Sequence, residues 1–116
     1  DKYGTCVPNY HYEDLMRLWE LYQKRELQFP GVVVDANHSN SDKKFREQPR
    51  IVSEVLPSRN YSPELKRLVK GVMIESYLEE GSQPIEGERV YGKSITDPCL
   101  GWKDTERLLL EMAEKV

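Results

Sequence analysis

The stretch between positions 31 and 42 decides the fold class, and it reads Gly31-Val32-Val33-Val34-Asp35-Ala36-Asn37-His38-Ser39-Asn40-Ser41-Asp42. It opens with three consecutive valines, a run that is short and apolar enough for a strand buried on both faces. Carboxylate, imidazole, amide and hydroxyl groups follow directly. Functional side chains of α/β proteins lie at such strand ends. We therefore predict a buried strand over Val32–Asp35 with a polar site at its rim that includes His38.

The composition fits one domain with a modest core. The chain has 116 residues, 17 basic and 20 acidic side chains and a net charge of −3, with a mean hydropathy of −0.72. This balance argues against a nucleic-acid groove or a polybasic membrane anchor. No apolar run approaches the roughly 18 residues of a membrane span. Cys6 and Cys99 suggest no disulfide framework, so we expect a reduced, cytoplasmic setting.

Helical periodicity and capping signals predict most of the secondary structure. After a loop over Asp1–Asn9, we predict a first helix whose face includes Met16, Trp19 and Tyr22. The predicted helices span about 12–25, 49–56 (after a turn ending at 48), 63–69 and 103–115, and the last buries Leu108, Leu109, Met112 and Val116. A second strand is predicted over 70–75. The polar excursion over 79–91 is long enough to be functional, with a small hairpin around Glu86-Gly87-Glu88.

The alternation of helices and strands predicts an α/β fold with parallel strands. Two strands cannot form a sheet that hides both faces, and an isolated strand pair is marginal in water. Both strands nevertheless have the apolar sequences of strands buried on both faces. We therefore expect neighbouring strands to come from outside this segment. The chain starts at Asp1 rather than methionine and is far shorter than the roughly 250 residues of an eight-stranded barrel. We therefore expect residues 1–116 to be part of one barrel domain.

Three chemistry-bearing residues are expected to meet at the strand ends. His38 follows the first strand, Glu75 ends the second, and Asp97 lies in the loop before the last helix. One imidazole and two carboxylates suit a divalent metal such as manganese, iron, cobalt or zinc, with a position left open for substrate. The competing interpretation is structural: a hydrogen-bonding loop histidine, an ion-pair partner and a turn-forming aspartate.

Nearby residues leave further alternatives open. Asp35 either orients His38 or caps a turn, and Cys99 is either a thiolate ligand or a buried inert cysteine. His11 is predicted to be a surface or capping residue. Four basic residues either meet a phosphate or form a solvated face: Lys43, Lys44, Arg46 and Lys93.

Three segments resemble one protein family closely. They are Asp35-Ala36-Asn37-His38-Ser39-Asn40-Ser41 with Lys44-Phe45, then Gly71-Val72-Met73-Ile74-Glu75-Ser76-Tyr77-Leu78, and Tyr91-Gly92-Lys93-Ser94-Ile95-Thr96-Asp97-Pro98-Cys99-Leu100-Gly101-Trp102. Together they resemble the C-terminal third of 3-deoxy-D-arabino-heptulosonate 7-phosphate (DAHP) synthase. The class resembled is bacterial and fungal, and its members are often feedback-regulated by an aromatic amino acid.

The resemblance implies a function. Phosphoenolpyruvate and erythrose 4-phosphate would condense in an aldol-like reaction that releases phosphate, the first committed step of the shikimate pathway. The fold implied is a (β/α)8 TIM barrel in a homo-oligomer. The family's divalent metal is held by a cysteine, a histidine, a glutamate and an aspartate, of which the last three map onto His38, Glu75 and Asp97. His38 and Asp97 are the residues expected to be catalytic. The metal cysteine and the phosphate clamps belong to family segments that precede this one, and Cys99 does not replace that cysteine.

Two other functions remain open at this point. A related barrel family, 3-deoxy-D-manno-octulosonate 8-phosphate synthase, shares the architecture but would not be expected to carry the 91–102 block in this form. The non-enzymatic alternative is a binding module that self-associates through unfinished sheet edges.

Overall fold

The computed structural model describes residues 4–116, so the first three residues of the predicted Asp1–Asn9 loop lie outside the described part. None of the helices in that part is both long and apolar enough to cross a membrane. The elements are α1 (Tyr12–Lys24), β1 (Val32–Asp35), α2 (His38–Ser41), a 3-10 turn (Phe45–Glu47), α3 (Gln48–Tyr61), α4 (Pro63–Leu68), β2 (Val69–Met73), β3 (Glu79–Ser82), β4 (Lys93–Ser94) and α5 (Trp102–Lys115).

The α/β alternation is confirmed, and the strands form two small parallel sheets. β1 pairs with β2 in a register that sets Val32 opposite Val69 and Asp35 opposite Met73. Because the two strands run in the same direction, their carboxyl ends lie at one edge of the sheet. The predicted strand β1 has the predicted bounds, whereas β2 begins and ends earlier than the predicted 70–75.

The core lies between this sheet and the helices. α4 packs against α1 and α3, and α3 also packs against α5. The residues with no measurable exposure are Ala36, Gln48, Ile51, Val55, Leu65 and Leu68. The predicted Met16, Trp19 and Tyr22 face of α1 packs against the core and is partly buried. The helices thus cover one face of the β1–β2 sheet and fix its position.

The predicted burial of both strands on both faces required neighbouring strands from outside this segment, and within the described chain only one face of the sheet is covered. Val34 is buried, but Val33 is 64% exposed and Met73 is 44% exposed. Successive strand side chains point to opposite faces, and the helices cover only one face. The other face of the two-stranded sheet is open.

The predicted end of the helix over 49–56 is wrong, because the corresponding helix α3 continues through Pro57 to Tyr61. Proline removes one helical N–H and normally interrupts a helix. Here the last turn is tied to the sheet, since Arg59 Nε donates to the Val69 carbonyl at 2.9 Å. The Ser62 N–H donates to the Ser58 carbonyl and closes the helix end at 3.2 Å.

The polar excursion does not form the predicted hairpin at 86–88. Its flanks β3 and β4 pair in parallel instead. The side chain of Gln83 folds the segment between them: Oε1 accepts from the Val90 N–H at 2.7 Å, and Nε2 donates to the Val90 and Lys93 carbonyls. Side-chain hydrogen bonds replace the cross-strand ladder that a hairpin would have supplied.

The buried face of α5 is narrower than predicted. Leu108 is 2% exposed and Met112 packs against the core, but Leu109 is 47% and Val116 is 77% exposed. Thr105, one turn before Leu108, completes the buried stripe. Leu109 lies on the adjacent face because neighbouring helical positions are about 100° apart.

The start of α4 gives a testable stability prediction. The buried Ser62 caps the helix: its Oγ accepts from the Leu65 N–H at 3.2 Å. We expect Ser62→Ala to lower the free energy of unfolding by about 1 kcal/mol, measured by urea denaturation. Ser58→Ala is the control, because Ser58 Oγ only bonds back to the Glu54 carbonyl inside α3; equal losses in the two variants would contradict the capping role.

Candidate metal centre

The β1–β2 pair brings two of the predicted residues to one rim. The ladder continues past the strands, since the Ala36 N–H donates to the Met73 carbonyl at 2.9 Å. His38 and Glu75 therefore leave neighbouring strand ends on the same side. His38 Nε2 lies 3.1 Å from Glu75 Oε1.

Asp97 reaches this rim because its segment is tied to the chain that follows β2. The Leu100 N–H donates to the Glu75 carbonyl at 3.0 Å, and the Tyr77 N–H donates to the Leu100 carbonyl at 2.9 Å. These bonds set Asp97 Oδ2 at 3.3 Å from His38 Nε2. The predicted convergence of the three residues is present in the structure.

Asp35 fulfils both predicted roles. Its Oδ2 lies 2.7 Å from His38 Nδ1, and its Oδ1 accepts the Asn37 N–H at 2.8 Å in a tight turn. A proton on Nδ1 that is shared with this carboxylate leaves the lone pair on Nε2, which faces Glu75 and Asp97. Such a carboxylate commonly sets the tautomer of a metal-binding histidine.

The backbone of His38 is in the left-handed region, with φ of 51°. This conformation costs a non-glycine residue roughly 1–2 kcal/mol. A hydrogen bond across this turn helps to hold the backbone of His38 in that conformation: Asn40 Nδ2 donates to the Asp35 carbonyl at 2.8 Å. Backbone strain of this kind is concentrated at functional sites.

Two residues that sequence reasoning missed hold Glu75. Gln48 is fully buried; its Oε1 accepts from the Glu75 N–H at 2.8 Å, and its Nε2 donates to the Glu75 carbonyl at 3.0 Å. Asn37 Nδ2 donates to the carboxylate itself, at 2.6 Å from Oε2. Asn37 adjoins His38 in sequence, which was a usable signal, but nothing local indicated that Gln48 contacts a residue so distant in the chain.

The ligand atoms of His38, Glu75 and Asp97 all lie within 4.8 Å of one another. Their side chains are partly exposed, so the cluster is open on one side. The hydrogen bond with Asp35 raises the pKa of His38, burial opposes that rise, and the charges of the three surrounding carboxylates add to it. A proton and a metal ion compete for Nε2. One imidazole and two carboxylates fit a borderline divalent cation.

Cys99 is buried and does not join this cluster. Its Sγ lies 3.3 Å from the Asp97 carbonyl, and burial raises the pKa of the thiol. A protonated thiol is a poor metal ligand. The structure therefore favours the inert cysteine over the thiolate ligand.

The other candidates divide between capping and ion pairing. His11 lies at the start of α1 with Nδ1 2.6 Å from Glu54 Oε2, as a surface or capping residue would. Arg46 pairs with Glu80 at 2.7 Å. Lys43 is mostly exposed, with Nζ 3.9 Å from Asp97 Oδ1, which sets one cation beside the open side of the cluster.

Comparisons with known proteins all point to one family. The family model described as "DAHP synthetase I family" matches residues 2–110. The chain is 40% identical over 116 residues to the Trp-sensitive phospho-2-dehydro-3-deoxyheptonate aldolase of Escherichia coli (strain K12), covering 97% of this chain and 32% of that protein. The phospho-2-dehydro-3-deoxyheptonate aldolase of Haemophilus influenzae is 37% identical, covering 97% of this chain and 31% of that protein.

A solved structure gives the same result. The phospho-2-dehydro-3-deoxyheptonate aldolase of Francisella tularensis SCHU S4 aligns with a TM-score of 0.85 at 29% identity, over 95% of this chain and 31% of that one. The chain thus spans about a third of the length of the relatives it matches. On the match over residues 2–110, the chain belongs to the DAHP synthetase I family.

Proposed function

We propose that this chain is the C-terminal portion of a metal-dependent DAHP synthase with a (β/α)8 barrel. β1 and β2 would be its last two strands, and residues 1–116 part of a single barrel domain. The open face of the β1–β2 sheet supports this proposal, because exposed Val33 and Met73 have the side chains of a barrel interior. So does the fold agreement with a third of a longer relative.

The observation that carries the proposal is the convergence of His38, Glu75 and Asp97. Three residues from separate segments offer ligand atoms within 4.8 Å of one another, and the motif resemblance implies that they correspond to the family's histidine, glutamate and aspartate ligands. We propose that they hold manganese, iron, cobalt or zinc. When bound, such an ion would polarise the aldehyde of erythrose 4-phosphate for attack by the enol carbon of phosphoenolpyruvate.

The chain's own residues supply orientation around that reaction. With Oδ2 2.7 Å from His38 Nδ1, Asp35 would hold a proton on that nitrogen, so that Nε2 would be available at the rim. Asp97 directs Oδ2 to His38 and Oδ1 toward Lys43. Oδ1 is thus placed to accept a hydrogen bond from a substrate hydroxyl, and Lys43 is placed to meet an anionic group of the substrate.

The test is made in a polypeptide of the relatives' length that carries this segment. With phosphoenolpyruvate and erythrose 4-phosphate, DAHP formation and phosphate release should rise together. A chelator should abolish both, and an added divalent metal should restore them. Arabinose 5-phosphate should not replace erythrose 4-phosphate; if it is the preferred substrate, the octulosonate 8-phosphate synthase alternative is correct. We also propose that this polypeptide is a homo-oligomer, which light scattering tests. We propose a cytoplasmic location as well, which fractionation of the cells that produce it tests.

The 116-residue chain by itself is expected to show no synthase activity. In the family resembled, the residues that clamp both substrate phosphates and the metal cysteine lie in earlier segments. The measurement is phosphate release by the purified chain with both substrates and each candidate metal. Turnover above the buffer rate that His38→Ala abolishes would contradict this expectation.

A further inference from the structure

We propose that Asn37, held by Ser41, is a positioning residue that determines which oxygen of Glu75 is offered at the metal site. The inference rests on the proposed function, since it concerns the same three ligands. It adds two residues that touch no ligand atom of His38 or Asp97; Asn37 contacts Glu75 and Asp35, and Ser41 contacts Asn37 and, at 3.4 Å, the His38 backbone carbonyl.

Both ends of the Asn37 side chain are engaged in a buried hydrogen-bond chain. Asn37 is 1% exposed and Ser41 is 5% exposed. Ser41 Oγ donates to Asn37 Oδ1 at 2.6 Å, and Asn37 Nδ2 donates to Glu75 Oε2 at 2.6 Å. Buried chains of this kind hold their members in one arrangement, because each unmet polar group is costly.

The donors and acceptors in this series of hydrogen bonds fix the orientation of the Asn37 side-chain amide. A flipped Asn37 would set its carbonyl oxygen against the Glu75 carboxylate, which has no proton to donate. Asn37 Nδ2 therefore holds Oε2, and Oε1 remains the oxygen that lies 3.1 Å from His38 Nε2. The hydroxyl of Ser41, by donating to Oδ1, stabilises this orientation over the flipped one.

Asn37 also supports the histidine from its other side. Its backbone N–H donates to Asp35 Oδ1 at 2.8 Å, and Asp35 Oδ2 contacts His38 Nδ1. Position 37 therefore contacts both the carboxylate that orients His38, through its backbone, and the carboxylate that faces it, through its side chain. The contact with Asp35 uses the backbone N–H, which any residue but proline would supply, so the side chain's own contribution is the bond to Glu75.

The probe is Co²⁺, titrated into the 116-residue chain up to millimolar concentration and followed by its visible absorption bands. We expect Asn37→Ala and the volume-preserving Asn37→Leu to weaken binding by about 10-fold to 100-fold, as is typical when a support of a metal ligand is lost. The band shape should also change, because Glu75 is no longer held in one orientation. Asn60→Ala is the control, since Asn60 donates to the Lys115 carbonyl away from the site, and its titration should match the wild type.

A double-mutant cycle tests the role of Ser41. Ser41→Ala should weaken Co²⁺ binding in the same direction as Asn37→Ala but less, and the double variant should bind as Asn37→Ala does, because coupled residues are not additive. Additive losses, or wild-type binding by Ser41→Ala, would remove Ser41 from the proposal. Wild-type affinity and spectrum in Asn37→Leu would overturn the proposal as a whole.

A metal-free measurement separates this inference from the proposed function. In ¹⁵N–¹H spectra the Asn37 side-chain amide should be shifted downfield by its bond to the carboxylate. Glu75→Gln and Ser41→Ala should each move it toward an ordinary amide position. If wild type binds no Co²⁺ while these shifts occur, the metal site fails and the Asn37–Glu75 contact stands. If wild type binds Co²⁺ and the Asn37 amide is unaffected by either substitution, the positioning role is wrong.

Discussion

Replacing His38 by alanine is expected to reduce the affinity of this chain for a divalent metal by about 100-fold. Zinc sites with four ligands are worth roughly 10–16 kcal/mol, so one ligand accounts for about 3 kcal/mol, or two orders of magnitude. Among the three candidate ligands only His38 offers a nitrogen, and its Nε2 lies within 3.3 Å of both carboxylates. Calorimetric or absorption titration with Co²⁺ or Mn²⁺ measures the change.

The chain offers a matched control in its other histidine. His11 Nδ1 contacts Glu54 Oε2 at 2.6 Å, outside the cluster, so His11→Ala should leave metal affinity unchanged. The wild-type chain should itself bind weakly, because the family's thiolate ligand is not among its residues. Tight stoichiometric binding of manganese or zinc would contradict that expectation, and equal losses in the two histidine variants would contradict the assignment of His38.

Replacing Gln48 by alanine should destabilise the chain by about 3 kcal/mol. Gln48 is fully buried and bonds both the N–H and the carbonyl of Glu75. Its loss leaves a cavity and an unpaired N–H, which together cost roughly this amount. The free energy of unfolding is obtained from urea denaturation monitored by tryptophan fluorescence.

Gln83→Ala is the matched control for Gln48→Ala. Gln83 makes three comparable hydrogen bonds to the backbone, but it does so in a loop where water can replace them. We expect that variant to lose less than about 1 kcal/mol. If both glutamine variants lose the same stability, burial of Gln48 is not the cause of its effect.

The parts of the site that could be predicted from sequence are those with local signals. A valine run that ends in polar residues located His38, and a second apolar run located Glu75. The parallel alternation of elements was enough to expect both at one rim. Asp97 was included because it lies in the loop before the last helix, from which it can fold back over that rim, and the family motif then supported the choice.

The missed features depend on tertiary contacts that have no local signal. Gln48 lies in the first turn of α3, where a polar residue is ordinarily exposed, and only the fold shows that it contacts Glu75. Pro57 reads as a helix end, yet the tie between Arg59 and the Val69 carbonyl keeps the helix intact. The exposure of Val33 depends on what covers the second sheet face, which the strand's own residues do not determine.

The left-handed backbone at His38 lowers the stability of the folded chain at the position of a candidate metal ligand. Glycine would adopt that φ of 51° at no steric cost. The histidine side chain is therefore present at the expense of some backbone conformational energy. Any cation that binds only the folded chain returns stability in proportion to its concentration over its dissociation constant. A divalent cation that bound this cluster only in the folded chain would therefore raise the folded population of this segment as its supply increased.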